Sequence, residues 1–161
     1  MPEKDNARKW LISQLPDRGF LAKALVRESF AGYLKADADH EVKVAHYPLQ
    51  DECTLTVKRG VGQAREKSAL LIDKQAFDCL YPIAAMRVHK RCHIIPLGAH
   101  ELRFDEFLEP TALGRILMLE VKSPEGEALA LPDEPWAEGA IDVTDDPRYL
   151  GQNLACRLTS D

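Results

Sequence analysis

Several short segments of this chain alternate apolar residues with charged or polar ones, one residue at a time. That period of two is typical of β-strands with one packed face and one polar face. Stretches rich in turn-forming residues separate the segments. Many short strands in succession predict a barrel or a strongly curved antiparallel sheet. The clearest segments are Glu41–Tyr47, Cys53–Arg59, His100–Phe107 and Arg115–Ser123.

Helical signals are fewer and shorter. Asp73 stands where an N-cap residue is expected, and Pro82 follows as a helix-ending residue. The chain is therefore predicted to be α+β in class and mainly β, with a few flanking helices. The candidate helices are Asp17–Glu28, Asp73–Tyr81 and Asp146–Leu154.

The alternation divides each predicted strand into two faces. In the first segment Val42 and Val44 share one face, whereas Glu41 and Lys43 share the other. Two interpretations fit this pattern. The charged faces either belong to an ordinary sheet and look into solvent, or they point into a barrel and line a wet interior while the apolar faces meet outer helices. Alternation alone does not distinguish between them.

The composition is that of a compact globular protein. Of the 161 residues, 45% are hydrophobic and 29% are charged, and residues 1–161 are predicted to form a single domain. No apolar run approaches the ~20 residues that cross a bilayer. The charged N-terminal sequence lacks the apolar stretch of a signal peptide. We therefore expect a cytoplasmic protein with no membrane partner.

Charge and cysteine usage exclude several function classes. The net charge of −5 argues against general or specific binding to nucleic acid. The four cysteines form no CxxC pair, so reduced thiols are expected rather than a zinc or redox site. His89 and His93 are four residues apart, which in a strand is about 13 Å and too far for one metal ion.

The C-terminal half carries the most specific motifs. These motifs follow one another in a set order: the turn at 94–98, then Leu102–Phe107, Leu117–Lys122 and Val143–Ala155. Three motifs precede them in the first half of the chain, namely AGYL at 31–34, EVKVA at 41–45 and TLTVK at 54–58. Together they resemble the CYTH superfamily of triphosphate tunnel metalloenzymes. The resemblance implies an eight-stranded antiparallel β-barrel, closed or nearly closed, that forms a tunnel. A homodimer would be consistent with it.

The resemblance also implies a phosphate-rich small-molecule ligand. Members of the superfamily bind linear triphosphates through Lys and Arg side chains inside the tunnel. Because a triphosphate carries several negative charges, its dehydration inside a protein requires many cationic donors. The residues that match the cationic motif positions, and so are assigned to phosphate binding, are Lys9, Lys43, Lys58, Arg65 and Lys90.

The acidic motif positions are depleted in this chain. Members of the superfamily hold Mg²⁺ or Mn²⁺ with carboxylates, because hard cations prefer several oxygen ligands. Here the positions of a glutamate-rich strand carry no carboxylate, and Ala45 and Cys92 replace two arginines unless Arg91 takes the role through a local bulge. At most one weak Mg²⁺ or Mn²⁺ site is expected, from Asp5, Asp105 and Glu120.

If the charged faces point inward, the interior of this acidic protein is net basic. We therefore predict that it binds a phosphate-rich anion such as tripolyphosphate, a nucleotide or polyphosphate, with catalysis impaired. The alternatives are a one-metal triphosphate phosphohydrolase that depends on Mg²⁺ or Mn²⁺, and a barrel repurposed for a structural or interaction role. The inward set is Lys9, Lys43, Lys58, Arg65, Lys67, Lys90, Arg103 and Lys122 against Asp5, Glu41, Asp105 and Glu120.

Overall fold

The computed structural model describes residues 3–4, 7–61, 65–124 and 130–157, with side chains described for 7–61, 65–124 and 130–156. The candidate metal ligand Asp5 lies outside these residues. Within them, eleven strands form one sheet, accompanied by short α-helices and 3-10 helices. None of the helices in these ranges has the length and apolar character needed to span a membrane.

Strands account for most of the regular structure, which confirms the mainly-β class. They are β1 (Glu3–Lys4), β2 (Ala7–Ile12), β3 (Leu25–Ala36), β4 (His40–Tyr47), β5 (Glu52–Arg59), β6 (Glu66–Ile72), β7 (Met86–Leu97), β8 (His100–Phe107), β9 (Leu117–Lys122), β10 (Ile141–Asp142) and β11 (Cys156–Arg157). The α-helices are α1 (Arg18–Leu21), α2 (Lys74–Leu80) and α3 (Gly151–Leu154), and 3-10 helices span Pro48–Gln50, Tyr81–Ile83 and Pro147–Tyr149.

Every described strand pairing is antiparallel. Neighbouring strands follow the order β1-β6-β5-β4-β3-β7-β8-β9-β2-β10, and β11 pairs with β7. The described ladder does not join its two ends, so the eight-stranded closed or nearly closed barrel is not confirmed. β1 at one end and β2, next to last at the other end, are nevertheless close in sequence, and they pair with β6 and β9.

The four segments with the clearest alternation are all strands. They form β4, β5, β8 and β9, and each strand end lies close to its predicted position. Their apolar faces are packed, since Leu102, Phe104 and Leu119 are each 1% exposed or less. These side chains cluster with Trp10 and Trp136 in one hydrophobic core. This core therefore lies on the face of the sheet opposite the charged side chains of the same strands.

Helix α2 covers another part of the apolar face. Asp73 is its N-cap, and the Asp73 carboxylate accepts a hydrogen bond from the backbone N–H of Ala76 at 2.6 Å. Phe77 is buried in a cluster with Val44 and Cys53, which come from β4 and β5. This predicted helix is confirmed, and its apolar side packs against the sheet as expected.

The two other predicted helices are shorter than the sequence suggested. In the segment Asp17–Glu28 only Arg18–Leu21 is helical, in one turn capped by Asp17. The rest of the segment enters β3, which pairs with β7 from Leu25 onward, so cross-strand pairing overrides the local helix signal. The C-terminal helix prediction is interrupted at Leu150, where an extended backbone separates a 3-10 helix from α3.

Candidate functional site

The charged faces of the strands meet at one cavity of about 150 Å³. All strands from β2 to β9 contribute side chains to it, and α3 contributes Gly151. The charged faces therefore line a common cavity, as the second interpretation predicts, while closure of the sheet into a barrel is not confirmed. An apolar cavity of about 150 Å³ holds a molecule the size of benzene, so the space matches a small ligand.

The cavity is strongly cationic in a protein whose net charge is −5. Among the described residues, nine Lys and Arg side chains line it, against the two carboxylates of Glu41 and Glu120. Carboxylates beside the cavity compensate three of these cations, because Arg27, Lys90 and Arg103 pair with Glu52, Asp105 and Glu101. The remaining excess of positive charge would be compensated further by a bound anion. The nine cationic residues are Lys9, Arg27, Lys43, Lys58, Arg65, Lys67, Lys90, Arg103 and Lys122.

The structure brings together most of the predicted site residues. The five predicted phosphate-binding residues all line the cavity: Lys9, Lys43, Lys58, Arg65 and Lys90. Of the three predicted metal ligands, Glu120 also lines it. Asp105 is buried beside it, and Asp5 lies outside the described residues. The five predicted phosphate-binding residues therefore lie at one site. Of the three predicted metal ligands, only Asp105 and Glu120 belong to the described residues.

Two of the acidic groups are held by cations of the cavity. Lys90 Nζ donates to Asp105 Oδ2 at 2.9 Å, and Asp105 is only 2% exposed. Burial alone would lower the pKa of Lys90, but the Asp105 carboxylate outweighs it and raises that pKa. The Arg65 guanidinium donates to Glu41 Oε2 at 3.2 Å, and both residues are buried. Asp105 and Glu41 thus position the two cations that they contact.

Glu120 lies between cations of both neighbouring strands. In the sheet register it stands directly opposite Lys9 of β2 and Arg103 of β8. Burial alone would raise the pKa of Glu120, but the cavity lysines, with Lys9 and Lys122 foremost, lower it well below its usual range. Glu120 therefore remains ionised at neutral pH and balances part of the surrounding positive charge.

Lys43 has a different environment from the other cavity lysines. Burial, together with neighbouring cations of which Lys58 is the foremost, lowers the pKa of Lys43 to about 7. Glu41 acts in the opposite direction, but its carboxylate is engaged by Arg65. Within the described part of the chain Lys43 has no ion pair. About half of the Lys43 side chains are therefore uncharged at neutral pH.

The sequence analysis missed Arg27, because the incorrect helix prediction covered it. Its guanidinium lies over the Tyr47 ring at 4.0 Å and donates to Glu52 Oε1 at 3.0 Å. Arg27, Ser29 and Tyr33 share one face of β3 and all line the cavity. Arg27, Glu28 and Ser29 are consecutive polar residues, so alternation did not indicate the strand at this point.

The cavity residue at the corresponding position of β7 is Cys92 and not Arg91. Cys92 is buried and lines the cavity. Burial raises the pKa of its thiol, so the thiol stays protonated at neutral pH. Arg91 points to the other face, where its guanidinium lies 3.9 Å from the Glu28 carboxylate. The pairing of β7 with β8 has no register shift, so no bulge brings Arg91 inward.

The described acids do not fit a Mg²⁺ or Mn²⁺ site. A hard divalent cation needs several free oxygen ligands, whereas Asp105 is bound by Lys90 and Glu120 is flanked by cations from two strands. In residues 7–61, 65–124 and 130–156, only one group of three potential ligand side chains lies within 4.8 Å, and it is exposed and outside the cavity. That group is Asp37, Asp39 and His40.

These features define a class of molecule, namely an antiparallel sheet whose charged face surrounds a small cation-rich cavity. The chain is similar to the crystal structure of the hypothetical protein NE1496, with 25% sequence identity over 96% of this chain and 97% of that chain and a TM-score of 0.63. No protein-family model matches the sequence, and no curated protein matches it.

Two archaeal structures share the fold at lower sequence identity. The conserved hypothetical protein Pfu-838710-001 from Pyrococcus furiosus is 12% identical, with a TM-score of 0.54 over 74% of this chain and 79% of that chain. The PH1012 protein from Pyrococcus horikoshii OT3 is also 12% identical, with a TM-score of 0.54 over 84% of this chain and 81% of that chain. At this identity the likeness concerns the fold alone.

Proposed function

We propose that this chain is a CYTH-like tunnel protein that binds a phosphate-rich small anion through the Lys and Arg side chains of its cavity. The observation that carries the proposal is the gathering of nine cationic side chains against two carboxylates in a protein of net charge −5. Phosphate oxygens accept charge-assisted hydrogen bonds from such groups. Several donors acting together offset the dehydration of a polyanion. Tripolyphosphate, a nucleotide and polyphosphate all have this chemistry.

The strand register supports a polyanion rather than a single small charge. Lys58 and Lys67 stand directly opposite each other on β5 and β6. Lys9 and Lys90 lie on β2 and β7, which contribute to other parts of the same cavity. A ligand with several negatively charged groups can contact more than one of these positions at once.

The tunnel itself is part of the proposal. β1 pairs with β6 and β2 pairs with β9, and both β1 and β2 belong to the first twelve residues. Two strands from this short stretch of the chain therefore pair with β6 and β9, on opposite sides of the ladder, which supports a sheet that encloses the charged face. Closure of that kind would shield the bound anion from solvent and strengthen its interaction with the cations.

We propose binding without efficient metal-dependent hydrolysis. Hydrolysis of the kind implied by the CYTH resemblance needs carboxylates that are free to hold a divalent cation. In this chain Asp105 and Glu41 are engaged by Lys90 and Arg65. The cations alone are sufficient to hold an anion, so affinity is expected without metal.

Isothermal titration calorimetry with tripolyphosphate tests the proposal. At low salt the wild-type protein should bind both in EDTA and in Mg²⁺. Lys58→Gln should weaken binding about ten- to hundredfold, because a hydrogen bond to a charged group contributes about 1.5–3 kcal/mol. Arg59→Gln is the matched control, since Arg59 is the next residue in β5 but is exposed and lies on the opposite face.

Three outcomes would contradict the proposal or change it. Absence of binding in both conditions would reject it. Equal weakening by Lys58→Gln and Arg59→Gln would indicate general surface electrostatics instead of a cavity site. Phosphate release that requires Mg²⁺ or Mn²⁺ and is lost in Glu120→Ala would favour the one-metal phosphohydrolase.

A further inference from the structure

One cationic group of the cavity differs from the others, namely an amine that no described acid holds. Lys43 lies on β4, with Tyr33 of β3 and Thr56 of β5 directly opposite it. All three side chains line the cavity. In the described part of the chain, Lys43 takes part in no ion pair. The Lys43 amine is therefore directed to enclosed space where a small ligand would lie.

The charged groups that face Lys43 come from every neighbouring strand, and most are cationic. The one acid on its own strand is compensated by Arg65, and the acid beside Lys90 is compensated by that lysine. The remaining positive charge opposes a further ammonium group at this position. The facing groups are Glu41 on β4, Lys58 on β5, Lys67 on β6, Lys90 on β7, and Arg65 just before β6.

A lysine is a nucleophile only when its amine has lost its proton. Burial and the neighbouring cations, first among them Lys58, lower the pKa of Lys43 to about 7. An exposed lysine with a pKa near 10.4 has a roughly thousandfold smaller fraction of free amine at pH 7. Enclosure beside other cations is the arrangement that activates lysines for Schiff-base chemistry.

We propose that Lys43 forms a reversible Schiff base with a small aldehyde that carries a phosphate group. The inference rests on the proposed function, because the neighbouring cations must hold the phosphate of this ligand. The amine nitrogen attacks the carbonyl carbon, and the two N–H hydrogens leave with the carbonyl oxygen as water. A C=N bond replaces the C=O bond, and the step needs no oxidant, reductant or metal.

The charge balance favours a monophosphate for this reaction. A phosphate monoester carries a charge of about −1.5 to −2 at neutral pH, whereas nine cations face two carboxylates in the cavity. The cavity therefore stays net positive when such a ligand is bound, and a monophosphate favours protonation of the Lys43 amine less than a polyanion does. The cavity volume of about 150 Å³ also favours a short aldehyde.

Reductive trapping with glycolaldehyde phosphate tests the inference. The full chain is incubated with this probe and cyanoborohydride at pH 7, which converts the imine into a stable secondary amine, and peptide mass spectrometry locates it. The adduct at Lys43 should exceed that at the exposed Lys23 or Lys74 by at least about tenfold. Unphosphorylated glycolaldehyde should show a clearly smaller preference, because the amine still reacts but no phosphate holds the aldehyde beside it, and excess tripolyphosphate should suppress the adduct.

Three variants separate the amine from the phosphate-binding groups. Lys43→Arg keeps a cation but places a guanidinium where the reactive amine was, so the trapped adduct should disappear. Lys58→Gln keeps the amine but holds the phosphate less well, and it also removes the cation that most lowers the pKa of Lys43, so the adduct should decrease. Lys23→Gln is the surface control and should keep the adduct at Lys43. Far-UV circular dichroism establishes that each variant is folded.

The inference and the proposed function fail in different ways. An adduct spread evenly over exposed lysines, or the same preference for Lys43 with the unphosphorylated aldehyde, overturns the inference. If tripolyphosphate still binds in calorimetry, the proposed function stands and only the Schiff base is wrong. If tripolyphosphate does not bind, the proposed function is wrong, and the inference that rests on it fails as well.

Discussion

At the scale of single residues, Lys43 links anion binding to protonation. The pKa of Lys43 is about 7 in the ligand-free fold, and a bound polyanion favours the ammonium form. Tripolyphosphate binding should therefore take up a proton at Lys43, and the affinity should fall as the pH rises from about 7 to about 9. Calorimetry in two buffers of different ionisation enthalpy measures this uptake.

The Lys43→Gln variant is the reference for that measurement. Protonation changes of the ligand itself are common to both proteins, so the difference between wild type and variant isolates Lys43. The variant should take up fewer protons, and its affinity should depend less on pH. The same proton uptake in both proteins would assign the titration to another group of the cavity.

The sequence could identify the cationic residues but not their partners. The face of a strand on which a residue lies follows from the alternation of its immediate neighbours. Lys58 and Lys43 could therefore be placed on the charged faces from alternation and motif position alone. The Lys90–Asp105 pair depends on the register of β7 against β8, in which Cys92 and not Lys90 is opposite Asp105. The low pKa of Lys43 likewise depends on cations from three other strands, which become neighbours only when the sheet curves.

At the scale of elements, α3 approaches β3 so closely that its first residue must be small. A Cβ added at Gly151 would overlap the Tyr33 hydroxyl, and Tyr33 is only 7% exposed and has little room to move. Gly151→Ala should therefore lower the free energy of unfolding by about 1–3 kcal/mol, as overpacking in a filled core does. Urea denaturation measures this change.

A double-mutant cycle checks that the Tyr33 hydroxyl is the cause. Without this hydroxyl, the nearest atom of the ring to the added Cβ is 3.6 Å away, an ordinary contact. In a Tyr33→Phe background, Gly151→Ala should therefore cost much less, and the two substitutions should couple. Additive effects would show that the cost arises from the backbone of α3 instead.

The elements also differ in how far the sequence could predict them. β8 and β9 alternate over most of their length, and Leu102, Phe104, Leu119 and Val121 pack in one core, so local pattern and tertiary structure agree there. The start of β3 was predicted as part of the helix Asp17–Glu28, but the helical turn ends at Leu21. The strand forms because β4 and β7 pair with it on both sides, which the segment alone does not indicate.

At the scale of the whole molecule, a negatively charged protein encloses a positively charged cavity. The net charge is −5, yet among the described cavity residues nine cations face two carboxylates. The rest of the chain therefore carries the excess of acid, which opposes the binding of anionic polymers over the exterior. If the cavity binds an anion as we propose, this arrangement favours a small ligand over a polymer.

The same arrangement predicts that a polyvalent anion stabilises the fold. At a tripolyphosphate concentration about a hundredfold above Kd, the free energy of unfolding should rise by about 2.7 kcal/mol. For a chain of this size that corresponds to a rise in Tm of roughly 5–10 °C. Thermal unfolding with tripolyphosphate and with NaCl at matched ionic strength measures the effect. Lys58→Gln should show a smaller rise and Arg59→Gln the wild-type rise, whereas an equal rise with NaCl would assign the stabilisation to general screening.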